Sequence, residues 1–238
     1  MEKSQAGRRI PWTRFGFEGV LIIVSILAAF GIDAWWTARG ELKEGSSLQA
    51  ALASEFEAVG QELGFSVSRN EMIIAAADTL LQQLRREAPS VEVASGTLGA
   101  LLLTPTTDSV HGTLDTLIAS GRLDLLPNKS LQFMLADWPA LLDDVREEEF
   151  AAKDFVHEQL TPYLGRVTDL SPIFVWRIEE RRNAGTVSEK IKKVPTSLPT
   201  DPVLINLIET RRYLASYVLT NYVFLQSAFE QISVELAK

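Results

Sequence analysis

The chain has 238 residues, a net charge of −8, 46% hydrophobic content and no cysteine. That acidity argues against nucleic acid as a partner, and against adhesion of the soluble part to an anionic membrane surface. Missing cysteine removes disulfides, thiol catalysis and Cys-based metal centres, and the hydrophobic content is too high for general disorder.

The first element is an apolar helix. Residues 19–32 carry no charge. Extended to 15–36, the stretch has about 22 residues, enough to cross a hydrocarbon layer of about 30 Å. Glu18 and Asp33 stand near its two ends. Trp12 on one side and Trp35 and Trp36 on the other suit interfacial aromatic belts. Lys3, Arg8, Arg9 and Arg14 precede the stretch, whereas Arg39 and Lys43 after it are mixed with Asp33, Glu41 and Glu44. This bias predicts a cytoplasmic tail at 1–14, a single transmembrane helix at 15–36 in a bacterial inner membrane, and a periplasmic remainder. The competing reading is a cleaved signal peptide, since Arg8-Arg9 hints at twin-arginine export. The length of the stretch and the lack of a small-x-small site before Trp35 favour an uncleaved anchor. Glu18 at the cytoplasmic entrance is either a proton-carrying group, as in a stator-like subunit, or a side chain reaching the interface.

Residues 37–47 read as a juxtamembrane connector, with Gly40 or Gly45 allowing a bend. Residues 48–238 read as one helical bundle, so the expected class is all-α with long antiparallel, coiled-coil-like helices. From 48 to 87 one stripe runs through Leu52, Phe56, Val59, Leu63, Ile74, Ala77, Leu81 and Leu84, interrupted by Ser66 and Asn70, and Pro89 closes the helix. A shorter helix is expected over 90–103. The next is capped by Asp108 and stops at Gly121, in left-handed conformation, so that 113–129 forms a compact corner. Asn128 caps a long helix that Pro139 should kink or divide. Its acidic run Asp143, Asp144, Glu147, Glu148 and Glu149 reads as a solvated face. A further helix is expected over 172–182, then a mobile polar loop over about 183–201, then a last helix from Pro202. Residues 213–229 are uncharged, but their length and polar members favour a core helix over a second span.

Chemistry is sparse. No phosphate-binding glycine loop, nucleophile elbow or zinc-protease helix occurs. Asp108 with His111 and Asp154 with His157 share an i, i+3 spacing that puts both groups on one helix face. They are the weak candidates for a metal, with capping or surface roles as the simpler reading. Trp138, Trp176, Tyr213, Tyr217 and Tyr222 either line a pocket or fill the core. Arg181-Arg182 and Arg211-Arg212 either bind an anion or form surface pairs. No catalytic residue and no cofactor is expected.

The run Phe17-Glu18-Gly-Val-Leu-Ile-Ile-Val-Ser-Ile-Leu-Ala-Ala-Phe-Gly-Ile-Asp33-Ala-Trp-Trp36 and the run Thr113-Leu-Asp-Thr-Leu-Ile-Ala-Ser-Gly-Arg-Leu-Asp-Leu-Leu-Pro-Asn-Lys129 are similar to two segments of a family of uncharacterised bacterial single-pass membrane proteins. That family has an anchor of Glu and an Ile/Leu/Val run ending in Trp, and a Leu-Ile-x-Ser-Gly-x-Leu-x-Leu-x-x-Asn-Lys segment. Here Asp33-Ala-Trp-Trp replaces the commoner Asn-Asn-Trp-Asn, and Pro127 precedes Asn128. The resemblance implies a membrane-anchored helical protein and carries no activity. The expected work is therefore noncatalytic: interaction, scaffolding or sensing in the envelope. The expected partners are the lipid bilayer and another envelope protein or a second copy. The alternatives are a stator-like subunit using Glu18 and a metal-binding helical enzyme.

Overall fold

The structure, a computed structural model, describes residues 12–86, 88–107, 111–183 and 186–238, without the side chains of 12–20 and 22. The described residues are mostly helical, at 82%. Helix α1 (Trp12–Leu84) runs unbroken for 73 residues, about 110 Å at 1.5 Å per residue. The expected connector at 37–47 is therefore helix, continuous with what precedes and follows it. Gly45 has a packing reason to be glycine: a Cβ there would meet the backbone carbonyl oxygen of Leu125.

After α1 comes a departure from the all-helical expectation. Ser90–Ala94 is a strand, β1, and helix begins only at α2 (Ser95–Leu101). The partner is β2 (Pro195–Pro199), antiparallel, with Ser90 opposite Pro199 and Ala94 opposite Pro195. Valines at 91 and 93 alternate with polar residues, the period of a half-buried strand, and Val93 is in the core. Two prolines suit β2, because a two-stranded sheet has only edges. The segment expected as a bare loop is thus built, holding a short helix α7 (Glu189–Lys192) and β2. Ser95 clasps it, its backbone N–H donating to Val194 O at 2.8 Å and its hydroxyl to Ile191 O at 2.5 Å.

Helix α3 (Gly112–Ser120) lies against α1, which holds both of its ends. At the start, Glu55 of α1 accepts from the backbone N–H groups of Thr113 and Leu114 at 2.8 and 3.2 Å, satisfying orphan donors that no α3 side chain caps. The expected cap, Asp108, lies outside the described residues. At the far end Gly121 has φ +69°, its N–H and that of Arg122 return to Ile118 O and Leu117 O, and the Arg122 guanidinium pairs with Glu44 of α1 at 2.7 Å. A 3₁₀ turn (Leu123–Leu125) follows. Asn128 then caps helix α4 (Lys129–Phe155), accepting from Ser130 N–H at 2.9 Å and donating to Glu235.

Helix α4 passes through Pro139 without dividing. Its winding changes instead at a π turn (Val156–Leu160), before α5 (Thr161–Val167). Pro162 has no N–H to offer residue 158 and would crowd that carbonyl, so a widened turn relieves it. Helix α6 (Ser171–Arg182) follows, and the last helix, α8 (Pro202–Leu236), lies along both α1 and α4.

Two apolar cores result. One gathers Ile73 to Leu84 of α1, α2, Phe155 to Leu164, Trp176 and the first half of α8. The other gathers Leu52 to Leu63 of α1, α3, most of α4 and the second half of α8. A buried polar layer separates them on α1, where Ser66 and Asn70 interrupt the stripe.

Candidate functional site

Glu149 is the centre of that layer. It is 3% exposed, which overturns its place on a solvated face; Asp143, Asp144 and Glu147 do face solvent. Its position continues the stripe Trp138, Leu142, Val145, Glu149, Ala152, so helical periodicity alone pointed inward. Thr107 donates its N–H to Oε2 at 2.9 Å and its hydroxyl to Oε1 at 2.7 Å, and the Tyr222 hydroxyl donates to Oε1 as well. Three donors satisfy a carboxylate that burial would otherwise penalise. Burial, then the charge of Glu149, pushes the Tyr222 hydroxyl well above its ordinary range, with Thr107 and Ser66 opposing the rise. Tyr222 therefore stays protonated and acts as a donor. The layer ties α1, α4, α8 and the segment after α2 into one register, as a fully satisfied network does.

Arg211 gives the second correction. It is 1% exposed, not a surface residue. Its guanidinium donates to Leu101 O at 2.9 Å and Leu103 O at 2.6 Å, covering carbonyls left over at the end of α2. Burial lowers its pKa to about 10, so it remains charged at neutrality. Again the signal was position: Arg211 lies between Ile208 and Ala215 on the buried face of α8.

Next to this wall opens a groove of about 720 Å³, between α1, α6 and residues 103–106. Arg69, Arg177, Arg181 and Glu180 line it, with Phe174 and Ile178. Arg69 is committed: it pairs with the buried Glu180 carboxylate at 2.5 Å, and its guanidinium lies 4.0 Å from the centroid of Phe65. Arg177 is half-buried, and desolvation lowers its pKa from the ordinary value, with Glu180 opposing that shift and Arg181 adding to it. Among the described residues neither Arg177 nor Arg181 makes a hydrogen bond or ion pair. Arg181 stands out in the sequence as half of an arginine pair, whereas Arg69 and Arg177 do not, because α1 and α6 meet only in the fold.

Among the described residues, the other expected site residues do not converge. Trp12, Arg14 and Glu18 lie outside the described side chains. Asp33, Trp35 and Trp36 are exposed, the two indoles edge to face at 6.2 Å and Arg39 over Trp35 at 5.6 Å. Asp108 lies outside the described residues. His111 is buried beside Trp138, and burial lowers its pKa despite Glu55 and Asp115. Asp154, at the end of α4, and His157, in the π turn after it, are exposed, so the two histidines belong to different regions. Among the described residues no group of three or more His, Asp or Glu side chains could hold a metal. Trp138, Trp176 and Tyr222 are core, whereas Tyr213 and Tyr217 stack on the surface at 6.0 Å; the five aromatics form no common pocket.

No family model, curated protein or solved structure matches the chain.

Proposed function

We propose that the chain is a noncatalytic, membrane-anchored helical module that works by contact with another envelope protein or a second copy, its bundle on the extracytoplasmic side. The observation that carries this is the first half of α1. Leu21, Ile23, Val24, Ile26, Leu27, Phe30 and Ile32 are all at least half exposed, on every side of the helix. An amphipathic helix has one apolar face to cover; a helix apolar all round needs an apolar medium. Left in water, that surface is unfavourable by about 25 cal/mol per Å². Among the described residues no helix is long and apolar enough to cross a membrane. The expected span, however, draws residues 15–20 and 22 from outside the described side chains. Adding them gives the charge-free run of 19–32 between tryptophans, with the basic residues on the N-terminal side. The likeness of 17–36 and 113–129 to the single-pass family points the same way.

Because α1 continues from the apolar half into both cores, a load on the bundle is transmitted to the anchor through one helix. A C-terminal alkaline phosphatase fusion should be active in a bacterial host, and a chain starting at Gly40 should leave the membrane fraction. An inactive fusion together with membrane retention of the shortened chain would reject the reading.

A further inference from the structure

We propose that the groove between α1, α6 and residues 103–106 binds a soluble organic dianion with an apolar body, of the phosphate monoester or dicarboxylate class. Three guanidinium groups face one carboxylate there, leaving two positive charges in excess on a chain whose net charge is −8. Glu180 and Phe65 already occupy Arg69. Arg177 and Arg181 are left, four residues apart on one face of α6. Like charges at that spacing repel, and desolvation of Arg177 adds to the cost. An anion held between them removes both penalties, and the planar guanidinium fork matches carboxylate and phosphate oxygens.

Phe174 and Ile178, one step round the same helix, are exposed apolar surface lining the same groove. They fit the apolar body of the ligand. The volume lies within the range of about 300–1,000 Å³ usual for small-molecule sites. The opposite wall is held in place beforehand: Arg211 fixes Leu103 O and Glu149 fixes Thr107. Preorganisation of this kind lowers the entropy lost on binding. The choice of a soluble ligand over a lipid headgroup rests on the anchored reading, because Arg69 lies about 50 Å along α1 from Trp36.

The test is calorimetric titration of the full chain, in detergent near neutral pH and low salt, with phenyl phosphate and with phthalate. Saturable one-to-one binding of at least one is expected. Arg177→Gln and Arg181→Gln should each weaken it by about tenfold or more, with inorganic phosphate weaker than phenyl phosphate, and Arg212→Gln on α8 should change nothing. Arg181 is exposed, so its variant keeps the fold, which unchanged circular dichroism melting checks. Neither probe binding at millimolar concentration would overturn the proposal, as would equal affinity in the arginine variants. Displacement of phenyl phosphate by short-chain phosphatidic acid, and not by glycerol phosphate, would overturn the soluble class. Membrane retention is measured separately, so failure of the anchor leaves the titration readable.

Discussion

The two halves of α1 are equally helical and both rich in apolar residues, yet they solve different problems. Residues 21 and 23–36 are exposed, while 48–84 bury a single stripe through Leu52, Phe56, Val59, Leu63, Ile73, Ala77 and Leu84. The stripe needs neighbouring helices and has them chiefly in α8, with α2 and α3 beside it. The apolar cylinder has no neighbour among the described residues. Angular distribution of apolar residues, more than their number, thus separates a helix that packs on protein from one that asks for an apolar surrounding.

The largest expected effect breaks the comparison at matched residues. Phe56 is 1% exposed and tilts against Trp138 at 5.1 Å, so Phe56→Ala should destabilise the bundle by about 3–5 kcal/mol. Phe30→Ala should leave the denaturation midpoint unchanged and reduce only membrane retention. Equal midpoint losses would mean that the first half also packs on protein.

The junction between the halves gives the next contrast. Gly40 faces open space, whereas a Cβ on Gly45 would meet a backbone oxygen. Gly40→Ala should stabilise the helix by up to about 1 kcal/mol, and Gly45→Ala should cost about 1–3 kcal/mol through overpacking. Thermal melts of both variants decide whether α1 is seated on the 113–129 corner. That corner depends on Gly121, whose φ is +69°. Gly121→Val should cost about 1–2 kcal/mol and Gly121→Asn less; equal melting points would dismiss the left-handed turn.

The smallest effect concerns the start of α8, the helix that covers the buried half. Asp201 caps it, accepting from Val203 and Leu204 N–H at 2.8 and 3.0 Å and from the Tyr163 hydroxyl. The Tyr163 hydrogen bond first, then Leu204 N–H, holds its carboxyl below the usual value of 3.8. A carboxylate with a depressed folded pKa contributes stability that is complete above its unfolded pKa and fades as pH falls through the folded one. Asp201→Ala should therefore cost about 1 kcal/mol at neutral pH, and the gap from wild type should begin to narrow below about pH 4 and go on narrowing as the pH falls further. A gap independent of pH would remove the capping account.

Much of this architecture was legible locally. The seam of α1, the end of α3 at Gly121, the cap at Asn128 and the start of α8 at Pro202 follow from periodicity and terminal chemistry, which act within a few residues. The strand at 90–94 was not legible, because its partner lies about a hundred residues downstream and five residues carry too little pattern. Glu149 and Arg211 were misread for a related reason: residue type argued for solvent while position on the helix argued for the core, and position won.

What the sequence by itself determined is the division of the chain into an apolar leading helix and a helical remainder, together with most helix ends, since these depend on contacts at spacings of one to four residues. Only the tertiary structure decided that α1 is one rod, that Thr107 and Tyr222 satisfy a buried carboxylate, and that Arg69 from α1 shares a groove with Arg177 and Arg181 from α6. Buried charge is tolerated only where remote donors or acceptors surround it, and groups separated by a hundred residues are brought together by packing, which no local spacing encodes.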